Sequence, residues 1–353
     1  MPLPKKRKQT LKITDFTAEE LTIWMKHNGY KPFRAKQLFQ WIHLHRVQSW
    51  DRMTNLSKSF RREIAQIFSL DRIAIVNCKT APDGTVKFLQ MLADGNHIES
   101  VLMDHGDHRT LCISTQVGCA MACKFCLTGS MGLKRNLSSG EIVDQVLNGY
   151  LLLPTGETIR NVVYMGMGEP FHNYENTITS LNILLDPGGL NYSSRRVTVS
   201  TSGLVPEIGR FAQEEKIKAN LAISLNGVTQ EARKELMPIG RRHSLEELIQ
   251  ACRNFPTNSR KRITFEYILI DRLTDSPQAA KRLVALLHGI KSKVNLIPYN
   301  ESTHLPYRSS DEKNTQQFQR YLLDHGVVAT LRKSKGQDIA AACGQLGMEW
   351  KSL

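Results

Sequence analysis

Cys119, Cys123 and Cys126 fall within eight residues, in the stretch Gly118-Cys119-Ala120-Met121-Ala122-Cys123-Lys124-Phe125-Cys126. The apolar run Thr110-Leu111-Cys112-Ile113-Ser114 precedes them. Three thiolates on one loop can face a single point, and in iron–sulfur chemistry they hold three irons of a cubane cluster. No fourth cysteine stands nearby. A structural zinc or Fe–S site closes its coordination with four protein ligands, whereas three leave a position for a substrate or cofactor. The same spacing also fits a reduced structural cluster, or a zinc site whose last ligand lies far away.

The loop needs a scaffold, and 353 residues suffice for one α/β barrel or for a core with an appendage. Apolar residues make up 41%. No run of about 18 uncharged apolar residues occurs, and the chain starts without the apolar segment of a signal peptide. No membrane partner is expected, and the setting is a reducing, cytoplasmic one. Seven cysteines, three of them clustered, fit cofactor or thiol chemistry better than a secreted disulfide framework. The net charge of +14 suggests a polyanionic partner, RNA or DNA, whose phosphates release counterions when neutralised. Basic groups recur at Arg61-Arg62, Lys134-Arg135, Arg195-Arg196, Arg241-Arg242, Arg260-Lys261-Arg262 and Arg332-Lys333, although any one of them is also what a solvated face shows.

Residues 1–11, with Lys5-Lys6-Arg7-Lys8, read as a flexible basic arm. Residues 12–70 read as a small helical domain, with a capping box at Thr17-Ala18-Glu19-Glu20 and an apolar face that includes Leu38, Phe39, Trp41 and Ile42. Phe33-Arg34-Ala35-Lys36-Gln37 sets basic side chains beside that face, as an RNA-binding appendage or a plain bundle would. Residues 71–108 read as a β extension turned at Asp83-Gly84 and Asp94-Gly95. Glu99 in its last strand reads as solvent-facing. From 109 to 347 strands alternate with helices, the signature of a parallel sheet. Strands are expected at 111–114, 161–165, 197–200, 219–225, 263–270 and 293–296, with a last short one at 327–331; residues 348–353 form a tail. Six such units are too few to close an eight-stranded barrel, so the fold class is α/β with a partial (β/α)6 barrel. Its active site belongs at the C-terminal strand ends. There fall the cysteine loop, Gly166-Met167-Gly168-Glu169-Pro170, Thr201-Ser202-Gly203, Asn226-Gly227 and Asn300.

The cysteine triplet after the first strand and the Gly-Glu-Pro loop after the second resemble the radical S-adenosylmethionine (SAM) superfamily. The resemblance implies that Cys119, Cys123 and Cys126 hold a [4Fe–4S] cluster and that SAM takes the open iron. One electron, from a donor such as flavodoxin or ferredoxin, then cleaves SAM to a 5′-deoxyadenosyl radical. Leu111-Cys112-Ile113-Ser114-Thr115-Gln116-Val117-Gly118-Cys119, Lys134-Arg135-Asn136-Leu137, Met237-Pro238-Ile239 and the stretches 165–170, 195–203, 295–300 and 332–346 resemble the RlmN family. Residues 33–37 with Met53-Thr54-Asn55-Leu56 resemble that family's RNA-binding extension. The family methylates C2 of an adenosine in 23S rRNA and, in some bacteria, the adenosine 3′ of the tRNA anticodon. A monomer is expected.

C2 of adenine is electron-poor and cannot take a methyl group as a nucleophile. The resemblance therefore implies a carrier, Cys343 in Cys343-Gly344-Gln345-Leu346, which is methylated by one SAM and activated with a second. It implies Cys112 as the resolving cysteine, which frees the RNA adduct by a transient disulfide with Cys343, and Glu99 as proton acceptor. SAM contacts map to Gly168, Glu169, Ser200, Ser224, Leu225, Asn226 and Asn300. Asn226 departs from the family's usual His, and Gly240 from its usual Asn. Without the resemblance Cys112 reads as a buried strand cysteine, and Cys78 and Cys252 stay structural. Two alternatives stand beside this reading. A Cfr-like enzyme would methylate C8 of the same nucleotide, against which Pro170 in place of Ala speaks. A non-catalytic Fe–S or zinc RNA-binding protein would explain neither Cys343 nor the Gly-Glu-Pro loop.

Overall fold

A computed structural model describes residues 10–257 and 261–347. The Lys5–Lys8 run, Arg260 and residues 348–353 lie outside the described residues. Short strands β1 (Leu11–Lys12) and β2 (Phe68–Ser69) pair in parallel and tie together the two ends of the N-terminal region. Between them, helices Ala18–His27, Phe33–Phe39 and Lys58–Ile64 bury Leu21, Met25, Leu38 and Phe60, with Ile42 from the turn Gln40–Leu44 that follows the second helix, in a core of their own. The Thr17 capping box forms: its hydroxyl accepts from the Glu20 amide, and the Glu20 carboxylate accepts from the Thr17 amide.

Strands β3 (Ala74–Thr80), β4 (Val86–Met91) and β5 (His97–Asp104) form an antiparallel meander, and β5 pairs in turn with β6 (Arg109–Cys112). The β extension thus continues the barrel sheet. A hairpin of β7 (Gln116–Gly118) and β8 (Leu133–Asn136) stands apart from that sheet. Strands β9 (Ile159–Tyr164), β10 (Val197–Thr201), β11 (Asn220–Ser224), β12 (Ile263–Leu269), β13 (Ser292–Pro298) and β14 (Ala329–Leu331) follow. The large sheet runs β14-β13-β12-β11-β10-β9-β6-β5-β4-β3. Its members from β6 to β14 are parallel, and β14 and β3 are its two edges, so the barrel stays open. The last short strand expected from the sequence joins as a seventh parallel member.

Glu99 corrects one expectation. It is 1% exposed, because β5 is covered on both sides and is buried from Ile98 to Met103. Ser100 packs toward Gln145 of the helix Ser139–Gly149, whereas the Glu99 carboxylate meets the Gly347 amide of the C-terminal segment. That helix, buried along its whole length, also seats the N-terminal region. Gly140 donates its amide to Asp15 at 2.6 Å, Lys12 lies 2.6 Å from Asp144, and Phe39 packs with Val143 and Leu147.

His43 sits at the same junction. It is 1% exposed, its Nδ1 has no hydrogen-bond partner, and Gly189 leaves just enough room for its Cβ. Burial, aided by the nearby Arg72 charge, pushes its pKa down to about 3. The unfolded chain therefore takes up the proton first as pH falls. The stability this neutral imidazole contributes is complete above about pH 6.5 and is lost below it at roughly 1.4 kcal/mol per pH unit. Wild type should lose about 2 kcal/mol more between pH 7 and pH 5 than His43→Gln, measured by urea unfolding. Parallel pH profiles for the two proteins would refute this.

Candidate active site

The cysteine loop runs between the strands of the β7–β8 hairpin. Gly118 makes this possible, since with φ of 77° it faces the Gly132 carbonyl so closely that any Cβ would overlap it. The Cys119 amide donates to the Gly132 carbonyl at 3.0 Å, the Cys126 amide to the Cys123 carbonyl at 3.1 Å, and Lys124 to Leu236 at 2.9 Å. All three cysteines line one cavity with Glu169, Ser200, Ser224, Asn226 and Cys343. Burial pushes the Cys119 thiol up to about 12 and raises Cys123 and Cys126 as well, and the three also raise one another in part.

These residues fit an iron–sulfur cluster. Buried thiols that resist ionisation become thiolates when a cationic metal takes their protons' place. Among the described residues, no three metal-ligating side chains stand close enough to hold one ion. The three thiols that line one cavity are the donors an iron–sulfur cluster takes from the protein, one iron to each thiolate.

The Gly-Glu-Pro loop closes the next side. Gly168, with φ of 100°, packs so tightly that a Cβ would come within 2.6 Å of the Gln116 side chain. The Glu169 carboxylate, 3% exposed, accepts from the Phe171 amide at 3.0 Å and the Ser202 amide at 2.7 Å. Burial raises its pKa despite those bonds, so a cation in the cavity would complete its environment. Ser200, Ser224 and Asn226 line the cavity, but Leu225 and Asn300 do not. The Leu225 carbonyl accepts from Arg233, and the Asn300 amide is spent on the Cys343 carbonyl at 3.0 Å. Asn226, where the family resemblance leads one to expect His, has φ of 48° and accepts from the Ile268 amide at 3.0 Å.

Arg233 braces these loops from behind and was not singled out in the sequence. It is 1% exposed, and its guanidinium donates to the carbonyls of Ser224 (3.1 Å), Leu225 (2.7 Å) and Ser202. No carboxylate pairs with it among the described residues, its Nε has no hydrogen-bond partner, and burial pulls its pKa down to about 10. Arg233→Met keeps the stem but strands three carbonyls. It should destabilise the apoprotein by roughly 3–5 kcal/mol in a denaturant titration, and a change under 1 kcal/mol would show that the brace is dispensable.

Cys343 and Cys112 are brought together. Both line a second cleft with Cys126, Met165 and Arg332. Cys112 ends β6, and burial, with Cys343 adding, pushes its thiol up to about 12. The segment carrying Cys343 is pinned by bonds from outside it: Lys87 to the Ala340 carbonyl (3.1 Å), the Leu127 amide to Gly344 (2.8 Å) and Thr128 to Leu346 (2.8 Å). Glu99 does not line this cleft. It shares a strand face with Val101 and Met103, which do, and its carboxylate meets Lys87 at 3.3 Å and the Gly347 amide at 2.6 Å. Met165, Glu266 and Arg332 also line these cavities; the sequence marks Met165 and Arg332 only within family-like stretches, Arg332 also in a basic pair, and gives none of the three a site role. Glu266 on β12, and Met165 and Arg332 directly after β9 and β14, continue the alternation of cavity-lining residues along those strands, which was the signal available.

Comparison with known proteins gives concordant results. Residues 11–70 match the family described as the ribosomal RNA large subunit methyltransferase N-terminal domain. Residues 113–284 match the radical SAM superfamily. A dual-specificity RNA methyltransferase RlmN of Syntrophotalea carbinolica is 50% identical over 95% of this chain and 89% of its own. That of Geotalea uraniireducens is 48% identical over 95% and 96%. The crystal structure of a radical SAM methyltransferase from Sphaerobacter thermophilus superposes with a TM-score of 0.90, at 42% identity, over 95% of this chain and 98% of that one.

Proposed function

Since the chain belongs to the RlmN family of radical SAM methyltransferases, which use a [4Fe–4S] cluster and SAM, we propose that it methylates C2 of an adenosine in 23S rRNA and in tRNA. The observation that carries this reading is the meeting of Cys343 and Cys112 in a cleft that Cys126 also borders. A metal-binding structural protein has no use for two further thiols there.

In this reading Cys119, Cys123 and Cys126 hold the cluster. Glu169 orients SAM by accepting from its ammonium group, with Ser200, Ser224 and Asn226 around it. When bound, the cluster and SAM together supply the radical that removes hydrogen from a methyl group. The chain's own residues do the rest. The Cys343 thiolate takes a methyl group from SAM and carries it to the base. Cys112 then attacks the Cys343 sulfur: the S–S bond forms, the S–C bond breaks, and its electron pair goes to the bridging methylene carbon, which takes up the proton that the Cys112 thiol gives up and leaves as methyl. Glu99 accepts the proton lost from C2, and its pairing with Lys87 and Gly347 holds the carboxylate ready. Pro170, which follows Glu169 and opens the 3-10 turn Pro170–Asn173, favours C2 over C8.

The test is anaerobic reconstitution followed by nucleoside mass spectrometry of 23S rRNA and tRNA. The expected products are 2-methyladenosine and 5′-deoxyadenosine. 8-Methyladenosine as sole product, or a colourless protein that leaves SAM intact, would overturn the proposal.

A further inference from the structure

Closed parallel barrels are filled by bulky branched side chains, but the lower half of this one is polar. The inward positions toward the N-terminal strand ends include Thr110, Asn161, Thr198, Thr264, Lys293 and Thr330. With Arg195 and Arg196 they line an open basin that the catalytic reading leaves unused. Arg195, Arg196 and Lys293 are exposed. None of the three forms an ion pair with a described residue; Arg196 reaches only the Asn161 side-chain oxygen, at 3.5 Å. The one carboxylate in the basin, Glu266, lies at its inner end, where burial raises its pKa and Asn295 donates to it at 2.6 Å.

The basin leads to the chemistry. Met165, Glu266 and Arg332 border both it and the cavity of the three cysteines, while Met103, Met165 and Arg332 border both it and the Cys112–Cys343 cleft. From Asn161 to Met165, or from Lys293 to Ile297, is four strand residues, about 13 Å. One extruded nucleotide, from its phosphate to the far edge of its base, has a length of that order. At the opposite end of the barrel, the cysteine loop is bonded to the C-terminal segment through Gly344 and Leu346.

We propose that the RNA enters by this basin, at the N-terminal mouth of the barrel, with the phosphates flanking the extruded adenosine bound by Arg195, Arg196 and Lys293. The base then passes upward, between Met165 and Arg332, to the two thiols. The inference rests on the proposed RNA substrate and adds where and by which groups it is held. Arg195 and Arg196, and Lys293, whose only acidic influence in the basin is the more distant Glu266 at the inner end, gain from phosphate because they release counterions and give up no existing ion pair.

Fluorescence anisotropy of a labelled 23S rRNA fragment, titrated with reconstituted holoenzyme at several KCl concentrations, tests it. Arg195→Gln, Arg196→Gln and Lys293→Gln should each weaken binding several-fold and reduce the slope of log affinity against log salt by about 0.7–0.9. Cluster absorbance and SAM affinity should stay unchanged. Lys281→Gln with Arg282→Gln, exposed on the outer helix Pro277–Leu287, is the control for general charge. Unchanged affinity and slope in the basin variants, or an equal loss in the control, would overturn the proposal. Methylated nucleoside formed by wild type decides the underlying function separately, since binding is read without turnover.

Discussion

Cys343→Ala should abolish methylation of RNA, by a thousandfold or more as expected when a covalent carrier is removed, while leaving SAM binding and cluster content intact. The separation follows from how the residue is held. Its carbonyl accepts from Asn300 and the neighbouring Gly344 carbonyl from Leu127, so alanine keeps every bond that fixes the segment and loses only the sulfur. Freshly expressed wild type should carry a methyl group that the variant lacks, read by intact mass. Cys252→Ala should turn over normally, since Cys252 is buried in the helix Leu245–Asn254 and lines neither the cleft nor the cofactor cavity. Equal masses and equal turnover in wild type and Cys343→Ala would eliminate the carrier role.

Cys112→Ala should fail later, after the carbon has reached the base. With no second thiol to attack the Cys343 sulfur, the S–C bond persists and enzyme and RNA remain joined. A denaturing gel should show a covalent protein–RNA species approaching one per enzyme, and product formation should stop at or below a single turnover. Because burial pushes the Cys112 thiol up to about 12, little thiolate exists at neutral pH, so release of the adduct by wild type should quicken as pH rises. Repeated turnover by Cys112→Ala would show that some other group resolves the adduct.

Much of this architecture was legible before the structure. The parallel strands fall where β-branched runs alternate with helical periods, and the capping box at Thr17 forms, because these signals are local. What stayed hidden depends on contacts distant in sequence. Glu99 looked solvent-facing because strand alternation reports one buried face, and β5 is covered on both. The β7–β8 hairpin escaped notice because its strands are separated by the whole cysteine loop, with no two-residue turn to announce them. Asn300 and Leu225 sit at the expected strand ends, but their polar groups are claimed by Cys343 and Arg233, a competition no spacing can express. Nothing marks Arg233 in the helix Gln230–Leu236 as buried, since its partners are backbone carbonyls that every sequence has.

The segment that carries Cys343 has a bearing on how the protein is made. Apart from the single turn Gln337–Ile339 its described residues have no regular structure, and its place is set by residues translated much earlier: Asp83, Lys87, Glu99, Leu127 and Thr128. In the proposed reading, the methyl-carrying thiol is therefore the last active-site group to be synthesised, and it is placed only by contacts with parts of the chain already made.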